Sequence, residues 1–109
     1  MTATTTITRT QAWLIQAYDG LNLLFSFKVS SSLSEGEVGA LLQRLASRHL
    51  TPKEILNAST RRRMKGHNGL LEIRREQRER IILSVGEDPH YIASLHTEEE
   101  FADFDYRID

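Results

Sequence analysis

The chain has 109 residues, the usual length of one domain, so one domain is predicted. Its composition, 39% hydrophobic and 27% charged, is close to the globular average and argues against disorder over most of its length. It contains no cysteine, so disulfides and thiolate metal sites are excluded, and a reducing, cytoplasmic location is expected. The net charge of −1 conceals a polarised chain, because residues 61–80 carry eight basic and three acidic side chains, and residues 87–109 carry one basic and eight acidic.

The first ten residues are rich in threonine and lack the basic start and apolar run of a signal peptide or a membrane span. We interpret residues 1–10 as a flexible N-terminal segment that precedes the folded domain. No association with a membrane is expected.

A β-rich segment over residues 12–29 is interrupted by Asp19-Gly20, a preferred sequence for a two-residue hairpin turn. The segment therefore predicts two antiparallel strands. With this turn the register places Leu14 opposite Phe25.

The predicted register divides the hairpin into two faces. One face, expected to be the core, carries four large residues: Tyr18, Leu23, Phe25 and Phe27. The other face carries Trp13, Ile15 and Leu24 among polar residues. A half-apolar face of this kind predicts a partner, most simply a second copy of the chain in a two-fold dimer.

Two capping boxes predict two consecutive helices. Ser34 with Glu37 begins a helix over about residues 35–49, in which the apolar side chains recur at helical spacing. Thr51 with Glu54 begins a short second helix, with proline at its first position.

The second half of the chain is less clearly patterned. Residues 61–69 lack apolar periodicity and contain two glycines and four basic residues, which indicates a basic loop. Residues 70–85 suit either a hairpin or a salt-bridged helix, and the compact β-rich run 81–85 favours the hairpin. The bend 86–89 then leads into a last strand over 90–95.

These elements predict an α+β fold in the order β-β-α-α-β-β-β, with a largely antiparallel sheet of about five strands and two helices packed on one face. The expected domain spans residues 11–96, and residues 97–109 form an acidic, aromatic tail. Within the tail, Thr97 with Glu100 predicts a short C-terminal helix.

The first functional hypothesis is a non-catalytic accessory or regulatory module that binds another protein, in the form of a homodimer. Its interface would use apolar residues of the open sheet face and of the tail: Trp13, Ile15, Leu24, Phe101, Phe104 and Tyr106. The tail itself has three readings, namely a solubilising tail, a linear motif for a basic partner, or an intramolecular cover for the arginines.

The alternative hypothesis is RNA or DNA binding through the basic loop 61–65, because arginine and lysine neutralise phosphates. The candidate residues are Arg61, Arg62, Arg63, Lys65, Arg74 and Arg75. The glutamates interleaved in 72–79 count against it, since charged residues are also common on edge strands.

A small enzyme is the third hypothesis. It would need a histidine and a carboxylate that converge in a pocket, near His67 or His90. The sequence has no nucleophile motif and no phosphate-binding loop, and its four histidines lack the spacing of a zinc site. No metal and no cofactor are therefore expected.

Overall fold

The computed structural model describes residues 11–102 of the chain. The elements are β1 (Gln11–Asp19), β2 (Asn22–Ser30), α1 (Glu35–Ser47), α2 (Pro52–Ala58), β3 (Arg74–Gln77), β4 (Ile81–Val85), β5 (His90–Thr97) and α3 (Glu98–Phe101). The strands form one antiparallel sheet in the order β2-β1-β5-β4-β3. The predicted α+β class, the strand number and the element order are confirmed, including the hairpin within 70–85 and the short C-terminal helix. The predicted flexible N-terminal segment, residues 1–10, lies outside the described residues.

The β1–β2 hairpin has a different register from the predicted one. Its turn consists of Gly20 and Leu21, because Asp19 belongs to the last pair of the ladder, and Gly20 adopts the positive φ of 60° that such a turn needs. A bulge near the turn shifts the pairing by one further residue. Leu14 therefore pairs with Lys28, three residues beyond its predicted partner.

This shift exchanges the two faces of β1, because successive side chains of a strand point to opposite sides and the shift is an odd number of residues. Trp13 pairs with Val29 and Ile15 with Phe27 on the face that packs under α1. Trp13 is 3% exposed and Ile15 is 0% exposed. The prediction that these two residues lie on an open face is wrong, and the homodimer hypothesis loses the face on which it was based.

The other face assignments change in the same way. Leu24 is the extra residue of the bulge, and it is half-buried against the core. Phe25 lies in the core, as predicted. Tyr18 and Leu23 pair with each other beyond the bulge, and the alternation of β1 places them on the sheet face opposite the core, so their predicted core position is wrong.

The core lies between α1 and the sheet. Leu42 of α1 is 0% exposed and packs on buried side chains from β1, β2, β4 and β5. The Trp13 ring is buried with its polar atom satisfied, since Nε1 donates to the Leu33 carbonyl oxygen at 3.2 Å. The capping box of Ser34 and Glu37 is present at the start of α1. Trp13, Ile15, Phe25 and Phe27 of the first hairpin therefore lie on one side of the sheet, whereas the predicted register would have divided them between its two faces.

The helices differ in how they contribute to this core. The capping box of α2 forms as predicted, but α2 contributes no buried residue, so α1 supplies the buried helical layer. Leu56 of α2 is 68% exposed. No helix within residues 11–102 is both long enough and apolar enough to cross a membrane.

The second face is the side of the sheet opposite α1. By strand alternation and register it carries Ala12, Leu14, Gln16, Tyr18, Ser26, Lys28, His90, Ile92, Ser94 and His96. Phe101 of α3 is buried and packs against Ala12 and Leu14 at one end of this face. Lys28 forms an ion pair with Glu98, and its ammonium lies 5.1 Å from the centre of the Phe101 ring. The packed structure therefore includes α3, beyond the domain boundary predicted at residue 96.

Candidate interaction surface

The segment that precedes β3 forms what we call the arm, residues 51–70, which consists of α2 and the basic loop after it. The loop folds back on α2, because the Asn68 side-chain amide donates to the Glu54 carbonyl oxygen at 3.1 Å. Within the loop, the Thr60 hydroxyl lies 3.4 Å from Nδ1 of His67. These hydrogen bonds define the path of the arm although α2 is not buried.

The far end of the arm is anchored on α1. The Gln43 side-chain amide donates to the Leu71 carbonyl oxygen at 2.8 Å. Ile73 packs over Gly39, where a Cβ would lie only 2.7 Å from the Ile73 Cδ1 atom. The lack of a side chain at Gly39 therefore allows Ile73 to pack closely on α1 as the chain leaves the arm.

Apolar exposure is concentrated on the arm. Leu56 is 68% exposed, Met64 57% and Leu70 38%. Outside the arm, the large hydrophobic residues of 11–102 that are similarly exposed are Leu21 in the hairpin turn and Ile73 just after the arm. The arm therefore carries three of the five large hydrophobic residues exposed to this degree within residues 11–102, which makes it the candidate interaction surface.

The arm is also rich in cationic side chains. Residues 55–71 contain four basic side chains and no acidic one. Arg62 forms an ion pair with Glu72. Arg61, Arg63 and Lys65 are exposed and form no ion pair with any other residue of 11–102. Within residues 11–102 their charges are therefore not neutralised by a carboxylate.

The other two arginines predicted for this patch have partners within the fold. Arg75 binds both carboxylate oxygens of Glu35, at 2.6 and 3.2 Å, and joins β3 to the start of α1. The Arg74 guanidinium donates to Ser84 Oγ at 3.3 Å and to the Gly86 carbonyl oxygen at 2.5 Å. The structure therefore groups the cations of loop 61–65 on the arm and holds Arg74 and Arg75 along the edge hairpin.

The residues predicted as a protein interface are not brought together. Trp13 and Ile15 are core residues, and Leu24 is half-buried against the core. Phe101 is buried on the second face by contacts within the chain. Phe104 and Tyr106 lie outside the described residues, so their interface role stays a prediction.

The two histidines predicted for a catalytic pocket have other surroundings. His67 lies beside the Thr60 hydroxyl, and Nδ1 of His90 is 2.9 Å from the Gly86 carbonyl oxygen. Within residues 11–102 neither histidine forms an ion pair with a carboxylate. The enzyme hypothesis therefore gains no support at these positions.

A serine, a histidine and a carboxylate converge instead where β5 meets α3. Ser94 Oγ is 2.7 Å from His96 Nε2, and His96 Nδ1 is 3.8 Å from Glu100 Oε1. Strand alternation places Ser94 and His96 on one face, and the capping box with Thr97 brings Glu100 back towards them. This order of groups is that of a nucleophile, a base and a carboxylate that orients the base.

Arg80 also belongs to this cluster. Its guanidinium donates to His96 Nδ1 and, at 2.8 Å, to Glu100 Oε2. Arg80 therefore contacts both the histidine and the carboxylate of the cluster. Ser94 is also only 7% exposed. The cluster clamps α3 to the sheet, and no sequence pattern indicates it because Arg80 comes from a distant turn.

The protonation states in this clamp are set by burial and by Arg80. Burial and then the nearby Arg80 charge lower the pKa of His96 below 6.5. The hydrogen bond from Arg80 and then that from the Thr97 backbone N–H lower the pKa of Glu100 to about 2. At neutral pH the clamp therefore contains a neutral imidazole and a charged carboxylate.

A cleft of about 480 Å³ lies between the C-terminal end of α1 and the bend before β5. Its wall includes His49, Tyr91, Arg74 and the carboxylates of Glu87 and Asp88. The His49 and Tyr91 rings are stacked, with their centres 6.2 Å apart. Among residues 11–102, no ion pair joins His49 to a carboxylate.

Neither a metal centre nor a known relative adds to this geometry. Within the described part of the chain, no group of three or more histidine, aspartate or glutamate side chains could hold a metal ion. Comparison of the chain with protein-family models, with curated proteins and with solved structures finds no match.

Proposed function

We propose that this chain is a non-catalytic module that binds another protein through the arm. The observation that carries the proposal is that α2 contributes no buried residue, while Leu56 and Met64 on the arm are 68% and 57% exposed. Hydrogen bonds hold the arm in its conformation while these apolar side chains stay in water. A partner that covers them would bury apolar surface, which is favourable for binding.

The chemistry of the arm indicates the kind of protein surface that fits it. Methionine and arginine are both enriched at the centres of protein interfaces. Arg61, Arg63 and Lys65 surround Met64 in the sequence and have no carboxylate partner within residues 11–102. The fitting surface is therefore an apolar patch bordered by carboxylates, as on an acidic regulatory partner.

The proposal is tested by capturing partners from a lysate of the producing cells with tagged variants. Leu56→Ser/Met64→Ser removes the apolar contacts of the arm, and Leu21→Ser is the matched control, because Leu21 is 99% exposed in the hairpin turn. We expect the wild-type chain and the control to retain the same partner and the arm variant to lose it. Equal capture by all three chains would refute the role of the arm.

Nucleic-acid binding through the same arm is the second candidate, and the three cations of loop 61–65 that form no ion pair within residues 11–102 favour it. The double variant Arg61→Ala/Arg63→Ala is compared with Arg44→Ala/Arg78→Ala, which removes two exposed arginines elsewhere. If RNA or duplex DNA binds, the slope of log affinity against log salt should become shallower by about 0.9 for each phosphate that the arm variant no longer neutralises. Leu56→Ser/Met64→Ser should leave nucleic-acid binding unchanged, which separates this candidate from the first.

A further inference from the structure

The two edges of the sheet within residues 11–102 differ in length and in charge. β3 forms one edge with four residues, of which three are charged. β2 forms the other edge with nine residues, and its one charged side chain, Lys28, is paired with Glu98. Short length and charged side chains are common protections of a sheet edge against pairing with another chain, and β2 has neither.

The outer side of β2 presents backbone hydrogen-bonding groups. Among the strands of residues 11–102, β2 pairs with β1 and with no other. In an antiparallel ladder, alternate residues direct their N–H and C=O groups to one neighbouring strand, and the residues between them direct theirs to the opposite side. The groups on the outer side of β2 are therefore in position to pair with a further strand.

Partly exposed apolar side chains accompany this edge on the side of the sheet that faces α1. Phe27 and Val29 alternate with polar residues along β2, and both are only partly buried against the core. A groove of about 430 Å³ lies between β2 and the end of α1, and its walls include Leu24, Phe27 and Leu45. All three side chains are partly exposed, so the groove is open to solvent.

The charges around this groove have one sign. Arg48 lines the groove just after α1, is exposed, and forms no ion pair with any other residue of 11–102. Residues 20–34 and 38–53, which contain β2 and most of α1, include four basic side chains and no acidic one. A carboxylate is therefore the charged group that complements this site.

We propose that β2 and the groove beside it bind an extended acidic peptide of a partner protein, which adds a strand to the sheet. Hydrogen bonds between the peptide backbone and the outer side of β2 hold the peptide. Its apolar side chains, at alternate positions, cover Phe27 and Val29 and enter the groove, while the intervening side chains, on the side of Lys28, are polar. A carboxylate of the peptide pairs with Arg48.

This site is separate from the arm, because no residue that lines the groove belongs to residues 51–70. Binding at β2 therefore goes beyond the function proposed for the arm. Either activity can be absent while the other is present, and the signals that report on them come from different residues.

The first experiment titrates short synthetic peptides into the isotope-labelled full chain and follows its amide signals by NMR. The peptides have apolar residues at alternate positions, threonine between them, and either aspartate or lysine at the end. We expect an aspartate-ended peptide to shift the signals of β2 and Arg48, and its lysine-ended counterpart to bind more weakly. Shifts confined to residues 51–70, or no binding by any peptide, would overturn the proposal.

Strand pairing is tested with two N-methylated forms of the tightest-binding peptide. One form is methylated at the amides that point to one side of the extended backbone, and the other at the amides that point to the opposite side. One form should lose binding and the other should keep it, whereas equal effects of the two methylations would contradict pairing with β2. Shifts of the β2 signals with protein concentration, in the absence of peptide, would assign the edge to a second copy of the chain and overturn the proposal as well.

The charge contact is tested with Arg48→Ala beside Arg78→Ala, which removes an exposed arginine between β3 and β4. Arg48→Ala should weaken binding of the aspartate-ended peptide about threefold, as for a charge pair at an exposed site, and the control should leave it unchanged. Equal affinities of the two variants would contradict the contact with Arg48.

Discussion

Gly86 occupies the start of the bend before β5 with a φ of 79°, and a Cβ there would lie 2.8 Å from the backbone oxygen of Pro89. Gly86→Ala should therefore lower the free energy of unfolding by about 1–3 kcal/mol, through both the unfavourable φ and the contact with backbone. Urea denaturation measures the change. Gly36→Ala is the control, because its Cβ would meet only Ser34 Oγ at 3.8 Å and alanine favours a helix, so it should leave stability equal or higher. An equal decrease in the free energy of unfolding for the two variants would contradict the conformation described for this bend.

His96 makes stability depend on pH. In the folded chain burial and Arg80 hold its pKa below 6.5, so the unfolded chain binds the proton more readily. The stability that depends on a neutral His96 is therefore present above about pH 6.5 and is lost as the pH falls below it. Glu100, with a pKa of about 2, stays charged over this range. Between pH 7.5 and pH 5, the free energy of unfolding should fall more steeply for the wild-type chain than for His96→Gln. Parallel urea titrations at the two pH values check this, and identical slopes would exclude His96 as the source.

The first hairpin illustrates which features of an element can be predicted. The β-rich composition and the Asp19-Gly20 signal predicted two strands and a tight turn, and both exist. The turn moved by one residue and a bulge added another, because this register places Trp13 and Ile15 beside Phe27 under α1. Tertiary packing of this kind overrides a local turn preference, so a single sequence could not supply the register.

The register has a simple optical consequence, because Trp13 is the sole tryptophan of the chain. At 3% exposure its emission should be shifted to the blue, and iodide should quench it far less than in the urea-unfolded chain. The register expected from the turn sequence alone would leave Trp13 on an open face. Quenching of the folded chain close to that of the unfolded chain would therefore support that register and contradict the one described here.

The helices and the clamp show a second limit of sequence patterns. The capping boxes determined where α1, α2 and α3 begin, since those interactions are local. Whether a helix is buried depends on distant residues, and nothing within the sequence of α2 revealed that none of its side chains reaches the core. The basic loop was visible as composition, whereas the intramolecular partners of Arg74, Arg75 and Arg80 required the sheet.

Within the described residues 11–102, the core and the exposed apolar and cationic side chains lie in different parts of the fold. The sheet and α1 form the core, and the arm lies outside it with exposed apolar and cationic side chains. Substitutions on the arm should therefore change binding with little change in stability, since surface substitutions away from packed contacts usually cost less than about 0.5 kcal/mol.

Recognition through the arm is best tested by the affinity of a captured partner for Leu56→Ser/Met64→Ser, measured beside Leu21→Ser, with both variants confirmed to unfold at the urea midpoint of the wild-type chain. We expect the arm variant to bind about tenfold more weakly or worse, because each buried apolar anchor contributes on the order of 1 kcal/mol or more. We expect the control to bind like the wild-type chain. An arm variant that is stable and binds as tightly as the control would show that the arm is not the recognition surface.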